Sequence, residues 1–427
     1  MGILSFRRQL GYALLLFGLL LLLVPRAGHP TDVDFWLRWA THIYENGLGN
    51  AYQLPDNNYN PLYHYILWLY GWLAGSPEKL RYYIHALKAF TLVFDFAGAF
   101  WAASLVPERA RRFGLVLLLL LNIAYLYDTL VWVQVDSMYT FFAFGAVVLA
   151  VQRHGVGSVL CFVLALAAKT QAIIFLPPLL LLWGPRWWHR PGRLAGAGLA
   201  GAGLATLLLA PFIWWSWDNA LPRIIAINLT ASEVYPRVSM GAYNLWYLLA
   251  PRAVLTTTAD TLPFGGLTYR AWGLLLFCAF SALALAPLLV AAWRHLRRTA
   301  PAPGLPLVLL SCGSIPLLFS FFNTQMHERY WHAAVLFLAA YGFLRRDYLP
   351  YVLASGAYFL NLENTLRYLQ LFNYDVLVFQ PWFVAALFAL TLGLVILKIY
   401  RLPPAPPLAA GSPALAGPTP AYAGASH

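Results

Sequence analysis

Pro61-Leu62-Tyr63-His64-Tyr65-Ile66-Leu67-Trp68-Leu69-Tyr70-Gly71-Trp72-Leu73-Ala74 is the stretch on which the topology of this chain turns. It is apolar enough to pass for a membrane span, yet it is short, rich in Tyr and Trp, and carries a histidine. Rings with a polar handle prefer the headgroup level of a bilayer, so residues 61–74 read as a helix lying on the membrane surface. Charge tests that reading. With 61–74 on the surface and the amino terminus inside, the short inner connections hold Arg7/Arg8, Arg109/Arg111/Arg112, Arg153, Arg186/Arg190/Arg193, Arg294/Arg297/Arg298, Arg345/Arg346 and Lys398/Arg401. Every one is basic, as orientation in a bilayer requires. If 61–74 crossed, the Arg109–Arg112 cluster would fall outside and the pattern would invert for the rest of the chain.

Working outward, the 427 residues are 61% hydrophobic and only 10% charged, too little charge for a soluble domain. The expected fold is an all-α polytopic membrane protein of about twelve transmembrane helices, near 10–26, 83–105, 113–127, 136–151, 157–169, 172–184, 195–215, 271–293, 304–322, 330–344, 348–361 and 379–399. The first run follows Arg7 and Arg8 as a signal peptide would, but no small-x-small cleavage site follows it, and it reads as an uncleaved span. The formal charge of +12 does not indicate nucleic acid, because the basic residues are scattered in small groups between apolar runs. Cys161, Cys278 and Cys312 each sit in an apolar run and imply neither a zinc site nor a disulfide framework. Four regions follow: a membrane module over 1–215 with a first outer loop at 27–82, an outer loop at 216–270, a second membrane module at 271–399, and a disordered cytoplasmic tail at 400–427 rich in Pro, Ala and Gly. The glycine stripe Gly196–Gly203 serves close helix packing.

The acidic residues are one-sided. Apart from Glu108 and Asp347 inside and Asp95 within a span, all carboxylates fall in outer segments. Acids contribute little to orientation, so this points to chemistry or binding outside. Asp32 and Asp34 stand near a helix start just after the first span. Capping and solvation account for an acid there as well as a general base does. Trp132, Gln134 and Asp136 follow the third span, beside Asp128. Lys169 and Gln171 occupy a tight outer turn, where a lysine either snorkels or meets a phosphate. Gln325-Met326-His327-Glu328-Arg329-Tyr330 is the densest polar group of the second half; a guanidinium and an imidazole suit phosphate oxygens, and Glu328 can orient either. Asp95 is a functional candidate by its place in a span.

At these residues the chain resembles the GT-C superfamily of glycosyltransferases, which use polyprenyl-phosphate sugars. It is most like bacterial mannosyltransferase-like proteins and the dolichyl-phosphate-glucose-dependent glucosyltransferases. Asp32 stands seven residues before Trp39 in the first outer loop. Tyr59-Asn60-Pro61-Leu62-Tyr63 matches a Tyr-Pro-Pro segment, with Asn60 in place of the first Pro. Trp132-Val133-Gln134-Val135-Asp136 matches Trp-Gly-Gln-x-Asp, with Val133 in place of Gly. Ala168-Lys169-Thr170-Gln171 and His327-Glu328-Arg329 match the family's remaining short motifs, in order, over roughly residues 1–345.

The resemblance implies an inverting hexosyltransferase that moves a sugar such as mannose or glucose from a polyprenyl-phosphate donor to a lipid-linked or cell-envelope acceptor. Asp32 would be the base, with Asp34 as runner-up. Lys169, His327, Glu328 and Arg329 would serve the donor phosphate, with Arg329, His327 and Lys169 supplying positive charge or hydrogen bonds. Gln134, Asp136, Gln171, Gln325, Tyr59 and His64 would bind substrate. No cofactor or metal is implied, although an Asp-x-Asp pair can hold a divalent ion. The expected location is the inner or plasma membrane, with both termini cytoplasmic and the site extracytoplasmic. A lipid-linked sugar flippase or transporter, and a glycan ligase or polymerase, are the competing readings; polar residues inside several spans would favour transport.

Overall fold

The computed structural model describes residues 5–24, 26, 28–250 and 254–403. The architecture is that of an all-α membrane protein, and proline opens many of its helices, where a missing N–H costs nothing. α1 (Phe6–Leu23) buries little besides Ala13. α2 (Pro30–Asn46), α3 (Pro61–Ala74) and α4 (Pro77–Tyr82) follow, each with proline in its first turn. Then come α5 (Lys88–Ser104), α6 (Arg109–Leu120), α7 (Ile123–Leu126) and one π turn at Tyr127–Val131. α8 (Asp136–Val151), α9 (Gly155–Ala168), α10 (Leu176–Trp188) and α11 (Pro191–Trp214) complete the first half. The 216–270 stretch holds α12 (Leu221–Leu229), α13 (Leu245–Leu249) and a two-residue antiparallel pair, Pro263–Phe264 with Leu267–Thr268. α14 (Tyr269–Leu296), α15 (Leu305–Phe322), α16 (His332–Arg345), α17 (Leu349–Leu366) and α18 (Pro381–Arg401) form the second half.

Each of the twelve expected spans coincides with helix, but the twelve-span count does not carry over. Among the described residues six helices are long and apolar enough to cross a membrane: Phe6–Leu23, Ile84–Ser104, Pro191–Trp214, Tyr269–Leu296, Leu305–Phe322 and Pro381–Arg401. The number becomes seven if Arg109–Leu120 and Ile123–Val131, bent by 64° where they meet, make one span. Asp136–Val151, Gly155–Ala168 and His332–Arg345 are apolar but short. At 1.5 Å per residue they reach about 21–24 Å, less than the roughly 30 Å of a hydrocarbon core. α16 is buried from His332 through Phe343, so its apolarity belongs to packing within the protein. The bend between α6 and α7 is held by Asn122, which accepts from the Ala124 amide and donates to Tyr351 (2.6 Å) and Ser355 (2.8 Å).

α3 is 14 residues long, about 21 Å at helical rise, and is not among the helices long enough to cross. It buries Tyr63, Leu67 and Tyr70 and leaves Trp68, Trp72 and Leu73 exposed. Arginine-bearing connections touch in pairs: Arg111 donates to Tyr348 (3.4 Å), Arg346 pairs with Glu108 (3.3 Å), and His189 bonds the Leu296 carbonyl (3.0 Å). Residues of the 27–82, 216–270 and 323–329 segments line a cavity. Of the expected tail at 400–427, α18 occupies the first two positions, and residues from 404 onward lie outside the described residues.

Candidate functional site

Asp32 sits in the first turn of α2, two residues after Pro30, where the positive end of the helix favours a carboxylate. Its Oδ2 accepts from Trp132 Nε1 at 2.7 Å and Gln134 Nε2 at 2.6 Å. The 132–136 segment is wrapped against the start of α2: the His29 amide donates to the Trp132 carbonyl (3.2 Å), the Trp132 ring stacks on His29 (5.2 Å between centroids), and Trp36 Nε1 donates to the Val133 carbonyl (3.0 Å). Val133 holds a φ of 65°, a left-handed conformation that a β-branched residue adopts only under constraint.

Arg329 arrives from the segment between α15 and α16. Its Nη1 lies 4.0 Å from Asp32 Oδ2 and 3.2 Å from Glu328 Oε1, and its Nε lies 3.7 Å from Asp136 Oδ2. Lys169, at the end of α9, donates to Asp136 Oδ1 at 2.6 Å and stands 5.0 Å above the Tyr330 ring. Three carboxylates and two cations from four separate chain segments thus form one network. Burial pushes the Glu328 carboxyl up to about 7, with Arg329 opposing the rise. Burial, reinforced by Arg329 and Lys169, holds the His327 imidazole well below its ordinary value. Of the two contributions expected of His327, positive charge or a hydrogen bond, these surroundings favour the hydrogen bond.

The network borders a cavity of about 880 Å³ whose wall includes Asp32, Tyr59, Lys169, Gln171, Gln325, His327 and Arg329. Tyr59 donates to Gln134 Oε1 at 3.3 Å, and Gln134 in turn holds Asp32. Gln134 and Asp136 are fully buried and stand behind the wall, positioning Asp32, Lys169 and Arg329 instead of lining the space as expected. Glu328 likewise sits behind the wall, on Arg329. Gln325 reaches the wall, but its amide is committed to Asp260 Oδ2 at 2.7 Å.

Two expectations fail. Asp34 is exposed and pairs with Arg38 at 3.1 Å, away from the cavity wall. Successive helical residues turn by about 100°, so two acids two positions apart on α2 cannot face the same way. His64 is completely buried under Tyr52, Trp39 and Phe212 and is not on the wall. Its surroundings are apolar packing on the inner face of α3, and burial lowers its imidazole to about 3.

Other residues emerge only in three dimensions. Asp260 takes a two-pronged bond from Arg270 (2.9 and 3.0 Å) and one from Thr324 (2.8 Å), tying the long loop to the segment that carries Arg329. Asn60 and Asn228 exchange amide hydrogen bonds (3.2 and 2.9 Å), and Thr170 donates to Asn228 (2.6 Å). Asn60 also donates to the Leu166 carbonyl at 2.7 Å, so this asparagine joins α3, α9 and α12. Off the cavity wall, buried among the helices, Asp95 meets His332 at 3.5 Å, and Tyr125 stacks on the His332 ring. Asp128 is buried beside them with no hydrogen-bond partner for either oxygen among the described residues. No group of three or more His, Cys, Asp or Glu side chains is arranged to hold a metal ion among the described residues.

No family model matches the chain. No curated protein matches it either.

Proposed function

We propose that the protein is a membrane glycosyltransferase of GT-C type that transfers a hexose from a polyprenyl-phosphate donor to a lipid-linked or envelope acceptor. The observation that carries this reading is the juxtaposition of a cavity-facing carboxylate, Asp32, with the Arg329 guanidinium 4.0 Å away. Among the described residues the hydrogen bonds to Asp32 all reach Oδ2. Oδ1 is left for an acceptor hydroxyl. Asp32 takes the proton as that oxygen bonds to the anomeric carbon. The bond from this carbon to the phosphate oxygen breaks, and the lipid phosphate leaves with the electron pair on the opposite face, inverting the centre. Charge grows on the phosphate during this step, and Arg329 and Lys169 are fixed in place by Glu328 and Asp136 to meet it, so no reorganisation is needed as the reaction proceeds. His327 and Gln171 offer neutral hydrogen bonds from the same wall.

In this reading α8, α9, α10, α16 and α17 join the six long helices and the bent α6–α7 pair to make about twelve membrane segments. The cavity faces the extracytoplasmic side of an inner or plasma membrane, and both termini are cytoplasmic. The positive-inside pattern of the arginine-bearing connections supports that orientation. The test is to incubate purified protein with a panel of radiolabelled polyprenyl-phosphate sugars and membrane lipids, and to follow which label moves to a new lipid. Movement of one label in the wild type and none with Asp32→Asn is expected; no movement of any label sinks the proposal.

A second reading, transport of a lipid-linked sugar, is favoured by one observation: Asp95, Asp128 and His332 are ionisable groups buried among the helices. It predicts that the protein in liposomes moves labelled lipid-linked sugar between leaflets without covalent transfer.

A further inference from the structure

Most charges on the cavity wall are already answered. Lys169 has Asp136, Arg270 has Asp260, Asp56 has Arg38 at 2.7 Å, and Arg329 has Glu328, Asp32 and Asp136. Arg223 differs. It lies on the wall in the first turn of α12, and its Nη2 donates to the carbonyls of Leu54 (2.7 Å) and Asn57 (3.5 Å). No carboxylate pairs with it among the described residues, and no hydrogen bond occupies its Nη1 or Nε there. The positive end of the helix adds to its charge instead of offsetting it. Two carbonyls thus fix a guanidinium of the cavity wall at one nitrogen and provide no counter-ion. Guanidinium geometry matches phosphate oxygens.

We propose that Arg223 anchors a second anionic group in this cavity, the phosphate of a phosphate-bearing acceptor lipid. The word acceptor rests on the transferase reading above; the anion site does not. A polyprenyl monophosphate brings one phosphate, and the Arg329–Lys169 network is the place for it. Arg223 is held by carbonyls of the 54–57 loop, apart from the carboxylates that hold Lys169 and Arg329, and is assigned a different group. A volume of about 880 Å³ is near the upper end of small-molecule pockets and has room for the headgroups of two substrates.

The experiment measures binding of two soluble probes to the full chain in neutral detergent: citronellyl phosphate for the donor side and dihexanoyl phosphatidic acid for the acceptor side. Arg223→Gln is expected to weaken phosphatidic acid at least tenfold and to leave citronellyl phosphate within about twofold. Arg329→Gln is expected to do the reverse, and Arg223→Lys to retain most phosphatidic acid binding. Inorganic phosphate in a third arm separates sources: competition assigns recognition to the phosphate alone, and its failure assigns the whole headgroup, each consistent with an anion site at Arg223. Unchanged phosphatidic acid binding in Arg223→Gln, or equal loss of both probes, overturns the proposal. If Arg223→Gln does not fold, loss of selectivity between the probes in Arg223→Lys has the same force. Binding is read without turnover, so an Arg223-dependent site in a protein that moves no label would refute the transferase and keep the site.

Discussion

Two polar layers adjoin in this protein, an upper one at the cavity and a lower one buried among the helices, and they are built in opposite ways. In the upper layer, at the cavity, Asp32 accepts two hydrogen bonds, Asp136 and Lys169 meet at 2.6 Å, and Arg329 is shared among three carboxylates. In the lower layer, Asp95 and His332 meet only at 3.5 Å, and the Asp128 carboxylate has no hydrogen bond among the described residues. The upper layer holds its charges in fixed geometry and leaves selected atoms for a ligand. The lower layer places opposite charges together in a dry interior, where mutual attraction barely offsets lost hydration. Organised hydrogen bonding next to open space is the mark of a reacting or binding site; loosely bonded charge in packed helices is expensive and serves the fold, or the transport reading, instead.

The largest effect should sharpen this contrast. Asp32→Asn keeps a carbonyl to accept from Trp132 and Gln134 but removes the base. Label transfer should fall by about 10³-fold, while thermal stability moves little; retained transfer would remove Asp32 from its role. The lower layer should respond the other way. Asp95→Ala or His332→Ala leaves a buried charge unpaired and should cost about 3–5 kcal/mol in stability. The double replacement Asp95→Leu with His332→Leu should recover much of that loss, measured by thermal unfolding in detergent. If the double variant is folded but inactive in leaflet exchange while the wild type is active, transport gains ground.

A smaller effect concerns Glu328. Its folded carboxyl is raised from 4.5 to about 7, so the folded state binds the proton more tightly than the unfolded chain. The stability this contributes is complete below pH 4.5 and is lost as pH rises through about 7. Wild-type unfolding temperature should therefore drop more across that window than that of Glu328→Gln; parallel curves would place the titration elsewhere. The smallest effect is in the backbone. Val133→Gly relieves the left-handed strain and loses packing, whereas Val133→Ala loses packing and keeps the strain. The glycine variant should be the more stable of the two by about 1 kcal/mol, reversing the usual order.

Much of the upper layer was legible in sequence because each of its parts stands at or near a helix end next to an apolar run: Asp32 after the first run, Gln134 just before α8 and Asp136 at its start, Lys169 after α9, and Arg329 between α15 and α16. A polar residue at such a junction stands out against its neighbours. Helical turns also explain why Asp34 could not share the site, a point that residue type alone does not reveal. His64 was misread because its aromatic neighbourhood suits a membrane surface equally well as an interior, and only Phe212, 148 positions later, decides for burial. Arg223, Asn228 and Asp260 had no signal of that kind. They are single polar residues in a long loop, and the partners that give them meaning lie on other segments. Length and apolarity alone do not set the number of spans, for a related reason: apolarity reports burial, whether lipid or protein does the burying.

The reciprocal amide pair at Asn60 and Asn228 has an evolutionary consequence. Each side chain donates to and accepts from the other, so neither can drift alone without stranding its partner. In a relative with proline at position 60, the side chain at 228 would lose its reason to be an asparagine. The two positions should therefore change together across any collection of related sequences, and a lineage in which one varies freely while the other stays fixed would show that the rim of the cavity is joined by something else.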